Sequence, residues 1–187
     1  MAGERNLPPS TNEYDWLGHG IYFWENNHQR ALEYANLLKA NPERSPRKVT
    51  EPAVLGAAIN LGHCLNLLDS KFLQHVKSAY ELVRTAAKET GKPLPENKNV
   101  GDNQDLLLRS LDCAVINTAV LRRKELVKKG QADYEFDTVR AAFIEGNPIY
   151  ESAGFRDKTH IQVCVRNHNC IKGYFRVLQP DENFRIP

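Results

Sequence analysis

The chain has 187 residues, of which 41% are hydrophobic and 26% charged, and its formal net charge is +2. This composition predicts one folded domain over residues 1–187, and so small a charge does not by itself indicate nucleic-acid binding. The apolar runs are short and broken by charged residues, which argues against a membrane span. The first ten residues, MAGERNLPPS, lack the apolar segment of a secretory signal, so a cytoplasmic location is expected.

The four cysteines give no sign of a metal site. No two of them stand at CxxC spacing, the usual ligand spacing of zinc sites. Three lie in apolar stretches, where a cysteine behaves as a small buried hydrophobic residue. We therefore expect no bound metal.

The first third of the chain predicts a strand, a helix and a second strand. The aromatic run from Gly20 to Glu25 favours a strand, and Asn26 and Asn27 can cap a helix that continues to about Lys39. Residues 41–52 contain three prolines and several charges, so they predict an exposed loop. The apolar stretch from Val54 to Leu61 is typical of a buried strand.

The rest of the chain predicts two long helices and then three strands. One helix starts at Asp69 or Ser70 and ends near Gly91, and after a loop over 91–103 a second carries Leu107 and ends near Gly130. The strands follow at Thr138 to Ile144, His160 to Val165 and Ile171 to Leu178. The predicted class is α+β, with a helical insertion over about 69–130.

Gly18 and Gly20 frame the start of the first predicted strand, where glycine lets a backbone approach a ligand closely. Tyr22 projects from one face of this strand, and Tyr34 lies on the helix that follows. Aromatic side chains placed this way can clamp a flat, amide-bearing ring such as nicotinamide. Both tyrosines can equally be core residues that anchor the helix to the sheet, since buried aromatic residues are common.

Residues 17–35, LGHGIYFWENNHQRALEYA, resemble the segment of poly(ADP-ribose) polymerases that reads GKGIYFAD and continues into a helix ending in Tyr. They also resemble small bacterial ADP-ribosyltransferase-like proteins. The resemblance implies the split β-sheet core of that superfamily and NAD as substrate, bound in part at Gly20. It further implies that Tyr22 stacks on nicotinamide, that Tyr34 packs on the other side of the ring, and that Ala31 leaves room for the amide.

The same resemblance implies a third site element on a late strand, after a substrate-recognition loop. The loop is 145–159, and Gln162 stands where the family usually has Glu, with His160 on the same strand face as a second candidate. Gln keeps a hydrogen bond to the ribose but lacks the charge, which implies transfer of a single ADP-ribose at most. Gln162 can also be a polar residue of an edge strand that faces water. The acceptor, protein or nucleic acid, would be contacted by Tyr150, Phe155 and Arg156.

The front of the chain departs from the family pattern. The family's first element is a His-Gly-Thr or His-Gly-Ser strand, and none of the seventeen residues before Gly18 is His, so the first core strand is expected to be missing. Ser10 and Asn12 can bond ribose or phosphate, and a turn with Ser and Asx caps is an equally good interpretation.

Three functions follow from these patterns. The first is an NAD-dependent mono-ADP-ribosyltransferase, a cytoplasmic enzyme of the kind that serves as a bacterial toxin or defence effector and is neutralised by an antitoxin. The second is a catalytically degenerate module that binds NAD, ADP-ribose or a partner protein. The third, a nucleic-acid-binding domain, rests only on basic clusters at Arg44 to Lys48 and Arg122 to Lys129.

Overall fold

The computed structural model describes residues 7–45, 48–99 and 105–176. The architecture is α+β, as predicted, with helices and mixed sheets. The helices in these ranges are α1 (His28–Ala40), α2 (Ser70–Thr90) and α3 (Ser110–Lys128). The strands are β1 (Ile21–Trp24), β2 (Leu55–Ile59), β3 (Cys64–Asn66), β4 (Asn97–Asn99), β5 (Leu106–Arg109), β6 (Thr138–Phe143), β7 (His160–Val165) and β8 (Ile171–Arg176).

A four-stranded sheet in the order β1-β7-β6-β3 organises the molecule. The pairs β1–β7 and β7–β6 are antiparallel, whereas β3 runs parallel to β6. In the register, Tyr22 lies opposite Cys164 and Trp24 lies opposite Gln162. Directly opposite residues project from the same face of a sheet, so these four side chains share one face with His160, two residues before Gln162.

The helices α2 and α3 cover that face. Leu17, Leu65, Val139 and Cys164 are fully buried there and form the main core with residues of both helices. The side chain of Asp69 caps α2 by accepting a bond from the Lys71 amide, and Gly91 ends the helix in the left-handed conformation at φ 68°. The predicted limits of this helix are therefore confirmed.

The opposite face of the sheet packs against a second sheet, the two-stranded ribbon β2–β8. Ile21, Val163 and Val165 form a smaller core with residues of the ribbon. The prediction that Val54 to Leu61 is a buried strand is wrong: β2 is shorter, and Leu55 is 48% exposed. The reason is that β2 pairs only with β8 at the edge of the molecule, so one face of its apolar run lacks a packed layer.

Three further elements differ from the predictions. The short strand β3 was not predicted, and β4 lies within the predicted loop over 91–103. Leu107 belongs to β5 rather than to the second long helix, because Asn97 of the β4–β5 hairpin accepts bonds from the Leu111 and Asp112 amides and so starts α3 at Ser110. The predicted end of the last strand, 177–178, lies outside the described residues. No helix within the described ranges is long and apolar enough to cross a membrane.

Candidate functional site

The two glycines before β1 make close contacts with protein. Gly18 has a φ of +75°, and a Cβ there would lie 2.7 Å from the Asn117 side-chain oxygen on α3. A Cβ on Gly20 would lie 2.5 Å from the sulfur of Cys164 and 2.7 Å from the Val165 carbonyl oxygen. The glycine requirement at both positions is therefore explained by packing against α3 and β7. The prediction that Gly20 contacts NAD stays a prediction.

Tyr22 uses its hydroxyl to hold the chain that leads into β1. The hydroxyl donates to the Gly18 carbonyl at 2.8 Å and accepts from the Leu17 amide at 2.9 Å. The ring packs against the main core, and burial raises the pKa of the phenol well above its usual range. Tyr22 is thus a neutral clamp in this structure, which is the core role that the sequence left open.

Gln162 lies at the centre of a hydrogen-bonded chain. The Trp16 indole N–H donates to its side-chain oxygen at 3.0 Å, and its amide nitrogen lies 2.9 Å from Nε2 of His160. Nδ1 of His160 lies 2.7 Å from the Lys158 carbonyl, which can only accept, so Nδ1 carries the proton and Nε2 accepts from Gln162. Burial lowers the pKa of His160, in agreement with this neutral imidazole. The chain orients the amide and the imidazole together.

An aromatic pair lies beside this chain, where β1 ends. The rings of Trp24 and Tyr34 are 5.3 Å apart between centroids, and the Trp24 ring lies 6.2 Å from that of His160. The Trp24 indole nitrogen is buried and has no hydrogen-bond partner among the described residues. A buried donor without an acceptor is costly, so an acceptor that reached this N–H would be favoured.

A cleft of about 1030 Å³ opens on the other side of β1, between α1, the four-stranded sheet and β2. Three predicted site residues contribute to its lining: Tyr22, Ala31 and Tyr34. Trp24 also lines the cleft, so the end of β1 lies between the cleft and the hydrogen-bonded side chains of Trp16, Gln162 and His160. Ser10, Asn12, Gly20, His160 and Gln162 are not part of the lining.

A close ion pair contributes to the lining of the cleft. Arg140 and Glu25 form a bidentate contact with N–O distances of 2.6 and 2.7 Å, and their side chains are only 17% and 29% exposed. The bound guanidinium lowers the pKa of the Glu25 carboxyl. Each carboxylate oxygen retains a lone pair, so Glu25 can still accept a bond from a donor in the cleft.

Ser10 and Asn12 form a local turn. The Asn12 side chain donates to the Ser10 hydroxyl at 2.9 Å, and its backbone amide donates to Asp15 at 2.9 Å. Ser10 also pairs with Gly20 through two backbone bonds, which aligns the turn beside β1. These contacts agree with the turn interpretation, and the predicted contact with ribose or phosphate stays a prediction.

The predicted substrate loop is an ordered, hairpin-like segment. The Ile149 amide donates to the Phe155 carbonyl, and Pro148 bridges to Arg156. Tyr150 and Phe155 are 60% and 69% exposed, and their predicted contact with an acceptor stays a prediction. Arg156 instead holds the loop together, since its guanidinium donates to the Gly146 carbonyl at 2.8 Å and lies 3.9 Å from Asp105.

Sequence reasoning gave no role to Trp16 or to the pair of Glu25 and Arg140. Arg140 could have been noticed because it is a charged residue inside the otherwise apolar predicted strand from Thr138 to Ile144. Trp16 carried no such signal, because its partner Gln162 lies 146 positions away.

No group of three or more His, Cys, Asp or Glu side chains within the described ranges is placed to hold a metal ion. All four cysteines are free thiols, and three of them are buried. Comparisons with models of protein families, with curated proteins and with solved structures found no match to this chain.

Proposed function

We propose that the chain is an ADP-ribosyltransferase-fold domain that binds NAD and transfers a single ADP-ribose from it to a protein or nucleic-acid acceptor. The observation that carries this proposal is the junction at the end of β1. There Trp24 lies directly opposite Gln162, and its ring lies close to both Tyr34 and His160. An aromatic pair beside an oriented amide and imidazole suits a flat ring that is bonded to a sugar.

The cleft fits NAD in size and character. Its volume of about 1030 Å³ is at the upper end of ordinary ligand pockets, as a dinucleotide requires. The small side chain of Ala31 leaves space beside α1, and Tyr34 and Trp24 contribute aromatic surface to the cleft. The unpartnered indole N–H of Trp24 would donate to the carboxamide oxygen of nicotinamide.

Transfer breaks the bond between ribose and nicotinamide and forms a bond from that ribose carbon to the acceptor, which loses a proton. Positive charge develops on the ribose as nicotinamide leaves. The Gln162 amide can orient a ribose hydroxyl but supplies no negative charge, so a modest rate is expected. Tyr150 and Phe155, exposed on the loop before β7, would meet the acceptor.

A second candidate function is a module that binds NAD or ADP-ribose without turnover. The observation that favours it is the state of Gln162. Its oxygen and its amide nitrogen are both engaged, by Trp16 and His160, and neither faces the cleft. Catalysis would require the Trp16 contact to open.

Binding and turnover can be measured on the same samples, by calorimetric titration with NAD and by chromatographic detection of released nicotinamide. The variants are Tyr34→Ala and Trp24→Phe, the latter keeping an aromatic ring but removing the indole N–H. Tyr134→Ala is the matched control, since Tyr134 is 67% exposed and does not line the cleft.

We expect NAD binding to be weakened about five- to tenfold in both site variants and to be unchanged in the control, because loss of a hydrogen bond between neutral groups, or of a stacking contact, costs ~1–1.5 kcal/mol. Nicotinamide release that is abolished by Gln162→Ala supports the enzyme, whereas binding without release selects the module. Absence of NAD binding, or equal binding by all variants, would rule out the enzyme and an NAD-binding module.

A further inference from the structure

A second cavity, of about 320 Å³, lies on the helical side of the sheet. It is bounded by α2, α3 and β6, and by the segment that joins β3 to α2. Its apolar part is lined by Leu67, Val76, Val115, Ile116 and Ala141. This size is at the lower end of the range for ligand pockets, so it suits only a small molecule.

The polar end of this cavity has one positive and one negative side chain, Arg109 and Asp112. The Arg109 guanidinium packs against two adjacent aromatic rings, 4.9 Å from the centroid of Trp16 and 4.6 Å from that of Phe143, and these two centroids are 4.8 Å apart. The rings hold the planar guanidinium in place, and its N–H groups point outward in its own plane, where a ligand oxygen can accept from them.

Those N–H groups are incompletely used. Nε donates to the Leu106 carbonyl at 2.8 Å, and Nη1 is 3.6 Å from Asp112, which is an ion pair but longer than a hydrogen bond. Nη2 meets no hydrogen-bond partner within the part of the chain that the structure describes. Asp112 accepts from Asn97 with one oxygen, and its other oxygen faces Arg109. Both charged groups can therefore form shorter contacts with a ligand.

The surrounding charge selects among ligands. Arg109 has the carboxylates of Asp112, Glu145 and Asp105 as its electrostatic neighbours, so a simple anion would be opposed by nearby negative charge. A ligand that carries a carboxylate and an ammonium group on adjacent atoms avoids this cost. Its carboxylate would accept from the N–H groups of Arg109, and its ammonium would donate to Oδ2 of Asp112, which now lies 3.6 Å from Arg109.

We propose that this cavity binds an α-amino acid with an apolar side chain, held by Arg109 and Asp112 at the polar end and by the apolar wall around Val76 and Ala141. The proposal does not depend on NAD binding, because this cavity lies on the opposite side of the sheet from the NAD cleft. A bound amino acid would contact Trp16, which holds Gln162.

Trp16 also provides the measurement. The chain has two tryptophans, so a Trp24→Phe background leaves Trp16 as the reporter of the cavity. L-leucine is compared with 4-methylpentanoate, which lacks the ammonium group, and with isopentylamine, which lacks the carboxylate. Asp112→Asn and Arg109→Gln are then made in the same background, with Asp133→Asn as the control for removal of an exposed acid.

We expect L-leucine to change the Trp16 fluorescence saturably, and each single-charge analogue to bind about tenfold more weakly. Asp112→Asn should weaken leucine binding by a similar factor and leave 4-methylpentanoate unchanged or improved, while Asp133→Asn changes neither. Amide NMR spectra of the same variants report whether each is folded. The proposal fails if leucine produces no saturable change in fluorescence or NMR, or if both analogues bind as well as leucine.

Discussion

Replacing Tyr22 with Phe tests the assignment of its hydroxyl to the loop before β1. The ring stays in the core, but the Gly18 carbonyl and the Leu17 amide each lose the partner that the hydroxyl supplied at 2.8 and 2.9 Å. The Leu17 amide is left without this partner, which costs ~1–3 kcal/mol, whereas the Gly18 carbonyl keeps the weaker contact from the Cys164 thiol at 3.6 Å and loses a bond worth about 1 kcal/mol. We therefore expect the free energy of unfolding to fall by about 2–4 kcal/mol. In a domain of this size that corresponds to a melting temperature about 10 °C lower.

Urea denaturation followed by circular dichroism measures this loss, with Tyr134→Phe as the matched control. Tyr134 is 67% exposed, and its hydroxyl makes no hydrogen bond within the described residues, so the control should match the parent protein. Tyr22→Phe keeps the ring, so NAD binding below the melting temperature should persist. A variant as stable as the parent protein but unable to bind NAD would refute this reasoning, since the hydroxyl would then serve the ligand and not the loop.

Three further predictions concern the walls of the site. Glu25→Gln removes the carboxylate from a half-buried ion pair with Arg140 and should lower the free energy of unfolding by about 1–2 kcal/mol. Urea titration measures this loss, and an unchanged midpoint would show that the ion pair does not stabilise the fold. Asn27→Ala removes the side chain that accepts from the third amide of α1 and should cost ~1 kcal/mol by the same titration, with parent-like stability as the contrary result. Burial holds the pKa of His160 in the folded protein below its ordinary 6.5. As the pH falls through 6.5, this residue therefore gains a proton in the unfolded state only, and the free energy of unfolding should decrease. Urea midpoints between pH 8 and roughly 5.5 should drop less in His160→Gln than in the parent protein, and equal slopes would contradict this.

Local signals in the sequence were enough to predict several elements. Asp69 and Gly91 bound α2 because a side-chain oxygen meets a free amide at its start and a left-handed glycine stops it. The aromatic run before Glu25 forms β1 as expected. In each case the deciding contact joins residues only a few positions apart.

Elements that depend on distant partners were not predicted. β3 has only three residues and exists through parallel pairing with Thr138 to Arg140, more than seventy positions away. The leucines at 106–108 suit a helix by composition, yet Asn97 caps α3 only from Ser110 and leaves them in a hairpin. For the site, the shared face of Trp24 and Gln162 follows from the register of β1 on β7, which composition does not specify.

The side chain at position 162 must satisfy two different neighbours, and this bears on turnover. Trp16 can only donate, whereas Nε2 of His160 must accept while Nδ1 is bonded to the Lys158 carbonyl. An amide has both an acceptor and a donor, so Gln162 serves both. A carboxylate there would accept from Trp16 but oppose the lone pair of His160 unless that imidazole took a proton, which burial disfavours. The Gln162 amide therefore fits a neutral His160. A negative charge at position 162 would require His160 to be protonated. In the proposed enzyme, the Gln162 amide would therefore have to leave Trp16 before it could orient a ribose, whereas the proposed binding module could keep this contact.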